Sequence, residues 1–307
     1  MAIYEREDSI AYWITIRDRT KTKVDPSTVS ITIKDPCDFV LVNSQAMARD
    51  STGVYYYNYD SLSSTATYGK YKIEVKSTSG TSQVAVEHDK FYVMPWRVTD
   101  DVRDITGASE TKDVDDDALS DICWKAYKEA LRDIYIHHYE ETPNGNPNTG
   151  AGFDGINTSF QSNFFPIADI NGDGSITGNN TSCATDINAW WVDNNGSYQR
   201  AIITVSKYQR GEISMYQNDG STAIPANNEG VYIDYWHQYG SYDEELFRNA
   251  VGHLAADMVM RRLKEVDRVT LGDIASNLPI IEKDSRRFYR KYRQLINQVR
   301  KPMVAGV

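Results

Sequence analysis

The chain has 307 residues, a formal net charge of −10 at pH 7 and a mean hydropathy of −0.55. This length suffices for two or three domains, and a hydrophobic content of 40% is typical of a globular chain and not of a disordered one. The net negative charge argues against non-specific nucleic-acid binding by the whole chain. The first ten residues lack an apolar signal core, and no stretch reaches 18 uninterrupted apolar residues, so we expect neither a signal peptide nor a membrane span.

Residues 1–95 show the alternating hydrophobic pattern of an all-β domain. Turn-forming dipeptides such as Asp25-Pro26 and Asp35-Pro36 separate the runs. Six or seven short strands in fewer than 100 residues predict an immunoglobulin-like β-sandwich. The predicted strands cover residues 10–17, 28–34, 39–42, 53–59, 68–76 and 83–94.

Residues 98–141 predict a short helix, a polar elbow and a long amphipathic helix. Thr99 is the candidate N-cap of the short helix, and Gly107 stands where a helix favours a left-handed residue at its C-terminus. Aspartates at 115–117 favour the positive end of the long helix. Its apolar residues recur at helical spacing and predict one buried face: Leu119, Ile122, Cys123, Ala126, Tyr127, Ala130, Leu131 and Ile134.

The partner of this face is expected beyond a long insertion. A helix that starts near residue 242 carries a second apolar stripe over 246–259, and a final helix covers roughly 281–299. The insertion, residues 143–235, opens with a Gly/Asn/Pro-rich loop and contains strand-like runs at 189–192, 201–207, 212–216 and 231–236. No repeat of 20–50 residues is present, which argues against a solenoid.

These elements predict an α+β multidomain chain. Its parts are an immunoglobulin-like β domain (1–95), a helical core in two segments (96–142 and 236–300), a loop-rich β insertion (143–235) and a C-terminal tail (301–307). Three cysteines, Cys37, Cys123 and Cys183, lie far apart without CxxC spacing. That pattern favours a reducing compartment, with neither a disulfide framework nor a zinc site.

The insertion contains the first half of a calcium-loop pattern, DINGDGSIT. Oxygen-bearing side chains occupy positions 1, 3 and 5, and Gly174 at position 6 permits the sharp turn. Position 12, normally a bidentate Glu, is Asn180, which argues against a helix-loop-helix calcium sensor. A structural Ca²⁺ site completed by Asp186 or Asp193 and a metal-free turn both remain open. The candidate ligands are Asp169, Asn171, Asp173, Ser175 (through its carbonyl) and Thr177.

Other candidate sites have weaker support. His137 and His138 are expected at a helix end, where adjacent side chains point about 100° apart and favour a structural role over a shared metal. None of the motifs GxSxG, HExxH, GxxxxGK[ST] or GxGxxG occurs, so no enzyme is predicted. The last helix is rich in Lys and Arg, which suits an acidic protein partner, DNA, or simply a solvated face.

The stretch VRDITGASETKDVDDDALSDICWKAYKEA resembles the opening of tailed-virus head–tail connector (adaptor) proteins. These typically begin with a V-R-x-I-T-G turn and continue through an acidic elbow into a long helix. VYIDYWHQYGSYDEELFRNAVGHLAADMVMRRL is similar to the family's second long helix, and LGDIASN precedes its last helix. The resemblance covers residues 98–142 and 230–300. The N-terminal β domain and the large insertion depart from the family pattern.

The resemblance implies a non-enzymatic structural adaptor in the virion neck, assembled in the host cytoplasm. Such adaptors form a homo-oligomeric ring, usually of about twelve subunits, beneath the portal protein and above a neck or tail-completion protein. DNA passes through the ring without sequence-specific contact, and no membrane is involved. The family's C-terminal segment grips the portal, which implicates Arg290, Arg293, Arg300, Lys301, Pro302, Met303 and Val304.

The alternative function is a calcium-dependent carbohydrate-binding or adhesion protein. A β-sandwich, 21 Tyr, 6 Trp and a calcium-like loop would all suit it. The helical segments have no role in sugar recognition, and they favour the adaptor. A hydrolase with its site in the insertion has no motif in its favour.

Overall fold

The computed structural model describes residues 3–18, 20–79, 82–107, 114–170, 172, 174–178, 186–238, 243–269 and 278–300, with side chains except at 82–84, 264–269 and 278–282. The predicted α+β class is confirmed, with several β-sheets and four α-helices in the described ranges. The chain divides into two compact units, Met1–Trp124 and Lys125–Val307, and the division falls inside a helix.

The first unit contains two β-sheets built from eight strands. The strands are β1 (Ile3–Tyr4), β2 (Ile10–Thr15), β3 (Thr28–Lys34), β4 (Val40–Ala46), β5 (Ala48–Ser51), β6 (Val54–Tyr59), β7 (Gly69–Ser79) and β8 (Ser82–Val93). A five-stranded sheet has the order β1-β8-β7-β3-β4, and a three-stranded sheet has the order β2-β6-β5. All pairs are antiparallel except β1 with β8. The chain changes sheets at Met47, between β4 and β5.

Both sheets of the first unit contribute to one hydrophobic core. In β3, alternate residues Val29, Ile31 and Ile33 are buried, as the period of two requires for a strand with one face inward. Each such side chain contributes about 1.5–3 kcal/mol relative to an exposed position. Core side chains from the other strands include Ile10, Ile14, Val42, Tyr55, Tyr71, Ile73, Val75, Phe91 and Val93.

The cysteine prediction is wrong for Cys37, which is disulfide-bonded. The buried Asp35 holds the turn that presents it, since its Oδ1 accepts the N–H groups of Cys37 at 2.9 Å and Phe39 at 2.8 Å. Spacing along the chain cannot reveal a bond between residues that approach only in the folded state. The reducing compartment was inferred from the expected absence of disulfides, and the bond at Cys37 removes that reason. Cys123 is a free buried thiol whose pKa burial raises to about 12, and Cys183 lies outside the described residues.

Helix α1 (Val98–Thr106) ends as predicted but begins differently. Gly107 has a φ of 67°, and its N–H donates to the Arg103 carbonyl, which confirms the left-handed C-terminal cap. The N-cap position is Arg97, without a side-chain cap, so the assignment to Thr99 is wrong. The Arg103 guanidinium donates to Asp116 Oδ1 at 2.6 Å and to the Val114 carbonyl at 3.2 Å. It thereby ties α1 to the start of the next helix.

Helix α2 (Asp116–Ile134) is shorter than predicted. Asp115 Oδ1 caps it by accepting the Ala118 N–H at 2.7 Å. The chain then continues as strand β9 (Tyr135–Glu141), so His137 and His138 lie in a strand and not at a helix end. β9 pairs antiparallel with a strand about 100 residues later, and this long-range ladder overrides the local helical pattern.

The second unit adds two sheets and two helices. Its further strands are β10 (Ser159–Gln161), β11 (Ile187–Val192), β12 (Tyr198–Arg200), β13 (Ile202–Lys207), β14 (Glu212–Tyr216) and β15 (Gly230–Gln238). The sheet orders are β12-β11-β15-β9 and β10-β14-β13. Their shared core includes Phe160, Ile187, Ala189, Trp191, Ile203, Ile213, Met215, Val231, Ile233 and Tyr235.

Helices α3 (Glu244–Val269) and α4 (Leu278–Val299) pack along each other. A polar link joins them, because Ser285 Oγ on α4 donates to the buried Asp257 Oδ1 on α3 at 2.5 Å. Between α2 and α3 the rings of Tyr127 and Phe247 approach with centroids 6.2 Å apart, whereas α3 and α4 contact each other extensively. The extended partner of α3 is therefore α4.

Candidate functional site

The predicted calcium loop lies between β10 and β11 and winds around Asp169. Asp169 Oδ1 accepts the Gly172 N–H at 2.7 Å, and its Oδ2 accepts the Gly174 N–H at 2.6 Å. Both glycines have positive φ, 72° and 80°, a conformation that side chains with a Cβ rarely adopt. The carboxylate at position 1 thus organises the loop. Asn171 and Asp173 lie outside the described residues.

A second carboxylate, Asp186, joins the two ends of the loop. It is buried; its Oδ1 accepts the Ile170 N–H at 3.0 Å, and its Oδ2 accepts the Thr177 N–H at 2.8 Å. Asp193 instead accepts the N–H groups of Asn195 and Ser197 in its own turn. Of the two completing ligands considered from the sequence, Asp186 is at the loop.

The donor chemistry of the loop suits a hard cation, because every candidate ligand offers oxygen. In the described part of the chain, no group of three His, Cys, Asp or Glu residues is arranged to hold a metal ion. The calcium site stays a prediction, and Asp169, Ser175 and Thr177 are its described members.

Calcium is expected to stabilise the wild-type chain. At a free concentration 100-fold above the dissociation constant, one site adds about 2.7 kcal/mol to the free energy of unfolding. Calorimetric titration and thermal unfolding with and without Ca²⁺ measure this effect. Asp169→Asn should remove both the heat and the stabilisation, whereas Asp154→Asn, in an exposed turn of similar hydrogen bonding, should change neither. If Ca²⁺ produces neither binding heat nor stabilisation of the wild-type chain, the calcium prediction is wrong and the loop is a metal-free turn.

Two histidines on neighbouring strands form a buried contact that sequence patterns do not indicate. His138 on β9 and His237 on β15 face each other, with Nε2 of the first 2.5 Å from Nδ1 of the second. His237 is 6% exposed, and the side chain of His138 is 16% exposed. At this distance one ring must donate a proton and the other must accept it, so the contact requires that at least one imidazole be neutral.

Aromatic and polar groups enclose the histidine pair. The ring of Phe164 stacks on His138 with centroids 4.3 Å apart, and the ring of Tyr235 lies 5.1 Å from it. The Tyr235 hydroxyl donates to Glu141 Oε2 at 2.6 Å and accepts the Phe164 N–H at 3.0 Å. Asn163 donates to the other Glu141 oxygen at 2.7 Å. Neutral donors therefore hold both oxygens of the nearby carboxylate.

Burial lowers the pKa of both histidines. For His138 the Glu141 carboxylate opposes burial, and His137 adds to it; for His237 the adjacent His138 adds to burial, and Glu141 opposes it. Two nitrogens that ligate one zinc ion at about 2.0–2.1 Å each lie farther apart than 2.5 Å in tetrahedral geometry. The pair is therefore a hydrogen bond that ties β9 to β15.

The predicted portal-binding residues divide into three groups. Arg293 and Arg300 contact Asp133 at the end of α2: Arg293 Nη1 lies 3.5 Å from its Oδ2, and Arg300 Nε donates to its main-chain carbonyl. The hydroxyl of the buried Tyr292 also donates to Asp133. Arg290 is exposed and has no ion pair in the described ranges. Residues 301–304, which complete the prediction, lie outside the described residues.

The comparisons with known proteins identify no family. No family model and no curated protein matches the chain. Among solved structures, the chain is similar to the crystal structure of the Lin-41 filamin domain, with 14% sequence identity and a TM-score of 0.24 over 31% of this chain and 85% of that chain. A TM-score of this size does not establish a shared fold. In the described ranges, none of the helices combines the length and apolarity that a membrane crossing needs.

Proposed function

We propose that the chain is a structural head–tail adaptor of a tailed virus. In this proposal about twelve subunits form a ring beneath the portal and join the capsid to the neck and tail around the DNA channel. The observation that carries the proposal is the contact of Asp133, at the end of α2, with Tyr292 of α4 and with Arg300, directly after α4; these partners are 159 and 167 residues away. The helices that resemble connector proteins thus meet across the insertion that separates them in sequence.

The Asp133 contact also supports the proposed role of the C-terminal tail. Arg300 is the last described residue, and its guanidinium is held against the end of α2. A tail that follows an anchored residue starts from a fixed point, which lowers the entropic cost of binding a partner. We assign the portal contact to the segment that follows: Lys301, Pro302, Met303 and Val304.

The β elements supply further contact surface in this proposal. We assign residues 1–95 to an immunoglobulin-like β-sandwich, supported by the two sheets that share one core. Trp13 is 53% exposed and stacks on Tyr56 with centroids 5.0 Å apart. An exposed Trp that stacks on a half-buried Tyr suits contact with a neck or tail protein. It is also the observation that best suits the alternative of carbohydrate binding.

The test is to mix the chain with its candidate portal and to image the mixture by negative-stain electron microscopy. We expect rings on the portal with the full chain and none with a chain that stops after Arg300. Stopping there preserves the Asp133 contact, so the melting temperature should stay within about 2 °C of wild type. A chain with the last seven residues in scrambled order is the matched control for length, and it should also fail to dock.

Two outcomes would contradict the proposal. A full chain that remains a monomer or trimer in the presence of the portal, and binds glycans instead, would favour the alternative. A truncated chain that docks as well as the full chain would remove the tail from the portal contact.

A further inference from the structure

Helix α4 carries several cations on its exposed side that have no partner among the described residues. Residues 283–300 contain seven Lys or Arg and one acid, Asp284. The buried side consists of Phe288, Tyr292, Leu295, Ile296 and Val299. Five exposed cations have neither an ion pair nor a hydrogen bond in the described ranges, and we call them the basic face: Lys283, Arg286, Arg287, Arg290 and Lys291.

The basic face is unfavourable for an isolated subunit. Its five charges fall within nine residues, about 12 Å of helix, and include like-charge neighbours four positions apart, such as Arg286 and Arg290. Such neighbours destabilise a helix. Several cations elsewhere are paired, such as Lys90 with Asp121, Arg103 with Asp116 and Arg261 with Asp257. An acidic partner would relieve the repulsion on α4.

The same chain offers a matching acidic surface. Asp100 and Asp104 lie four positions apart on α1, both are exposed, and neither has an ion pair or hydrogen bond in the described ranges. The exposed Asp115 and Asp117 lie at the start of α2. Arg103 ties these two helices together through Asp116. We call Asp100, Asp104, Asp115 and Asp117 the acidic patch.

We propose that the basic face of one subunit docks on the acidic patch of a second copy of this chain. The inference rests on the proposed function, because it names the contact that would join neighbours in the ring. Two different, complementary surfaces on one chain form a head-to-tail contact, and such contacts close into a ring when the rotation between neighbours divides a full turn. The net charge of −10 opposes DNA as the occupant, whereas the acidic patch is present on every subunit.

Charge reversal tests the contact. The variant Arg286→Glu/Arg290→Glu reverses the basic face, and Asp100→Arg/Asp104→Arg reverses the acidic patch. Each variant alone should form rings on the portal at least roughly ten-fold less well than wild type, because attraction becomes repulsion at two positions. A 1:1 mixture should restore ring formation, since alternating subunits then present opposite charges at every contact. Misfolding of either variant would not be corrected by mixing.

A matched control changes charge without touching either surface. Lys23→Glu/Lys70→Glu alters the net charge as much as the basic-face variant does, at two exposed residues of the first unit. It should form rings like wild type. Wild-type rings should also weaken between 0.05 and 0.5 M salt, because exposed charges are screened.

The outcomes separate this inference from the proposed function. If wild type forms no ring on the portal, the adaptor proposal fails. If wild type and both reversed variants form rings equally, the adaptor proposal stands and the docking contact is wrong. If Arg286→Glu/Arg290→Glu forms normal rings but loses affinity for duplex DNA, the basic face serves DNA, and the inference is overturned.

Discussion

Replacing Gly178 by alanine is expected to lower the free energy of unfolding of the second unit by about 3 kcal/mol or more. A Cβ at this position would overlap the main-chain carbonyl oxygen of Ile203 and lie 2.7 Å from its carbonyl carbon. Ile203 is buried in β13, which is hydrogen-bonded to β14, so its backbone cannot move aside alone. Among small-to-large substitutions, those that force a side chain against fixed backbone are the most destabilising.

Urea denaturation followed by tryptophan fluorescence measures this effect, because Trp190 and Trp191 lie on β11 of the same unit. Gly152→Ala is the matched control. A Cβ there meets no atom within 4 Å, so its effect should stay within about 0.5 kcal/mol. Equal stability of the two variants would show that the loop at Gly178 does not pack against β13 as described.

Lowering the pH from 7.5 to 5.0 is expected to destabilise the second unit through His138 and His237. Burial lowers the pKa of both in the folded state, while the unfolded value is 6.5. The folded state therefore binds fewer protons than the unfolded state. The contribution of the two histidines to the free energy of unfolding is fully present above pH 6.5 and is lost as the pH falls through their lowered folded-state pKa values. Each histidine contributes at most about 1.4 kcal/mol per pH unit. A second proton would also break the contact between the two rings.

Chemical denaturation at several pH values gives the slope of the free energy of unfolding against pH. The variant His138→Gln/His237→Asn keeps hydrogen-bonding groups near the two nitrogens but does not titrate, so its slope between pH 7.5 and 5.0 should be smaller than that of wild type. His88→Gln is the control, since the side chain of His88 is 72% exposed. A residual slope is expected from His253, whose pKa burial also lowers. Equal slopes in wild type and double variant would contradict the assignment.

Sequence patterns correctly predicted elements whose apolar residues repeat with the period of the element itself. β3 and β14 occupy the predicted residues, because alternation with one buried face is local information. The left-handed Gly107 was likewise predictable, since only glycine adopts that conformation without strain. The class α+β follows from these local signals.

Features that depend on distant partners were not predictable in this way. Residues 135–141 continue a helical pattern, and only the pairing of β9 with β15 makes them a strand. His138 and His237 are 99 positions apart, and neither lies in a recognisable motif. The contacts of Arg293 and Arg300 with Asp133 could not be predicted, because Asp133 is more than 150 residues away. In each case the deciding energy comes from tertiary contact and not from neighbours in the chain.

The pairing of β9 with β15 makes the long insertion a module on a two-stranded stem. Tyr135, directly after α2, pairs with Gln238, a few residues before α3. Paired strands lie about 5 Å apart, so this single rung fixes the separation of the two chain ends. The separation of these two ends is therefore set by the strand pairing and not by the length of the chain between them. A longer exposed turn in that chain would leave the two helix ends in place, whereas the loop at Gly172 packs against Leu131 and Tyr127 of α2 and cannot be exchanged as freely.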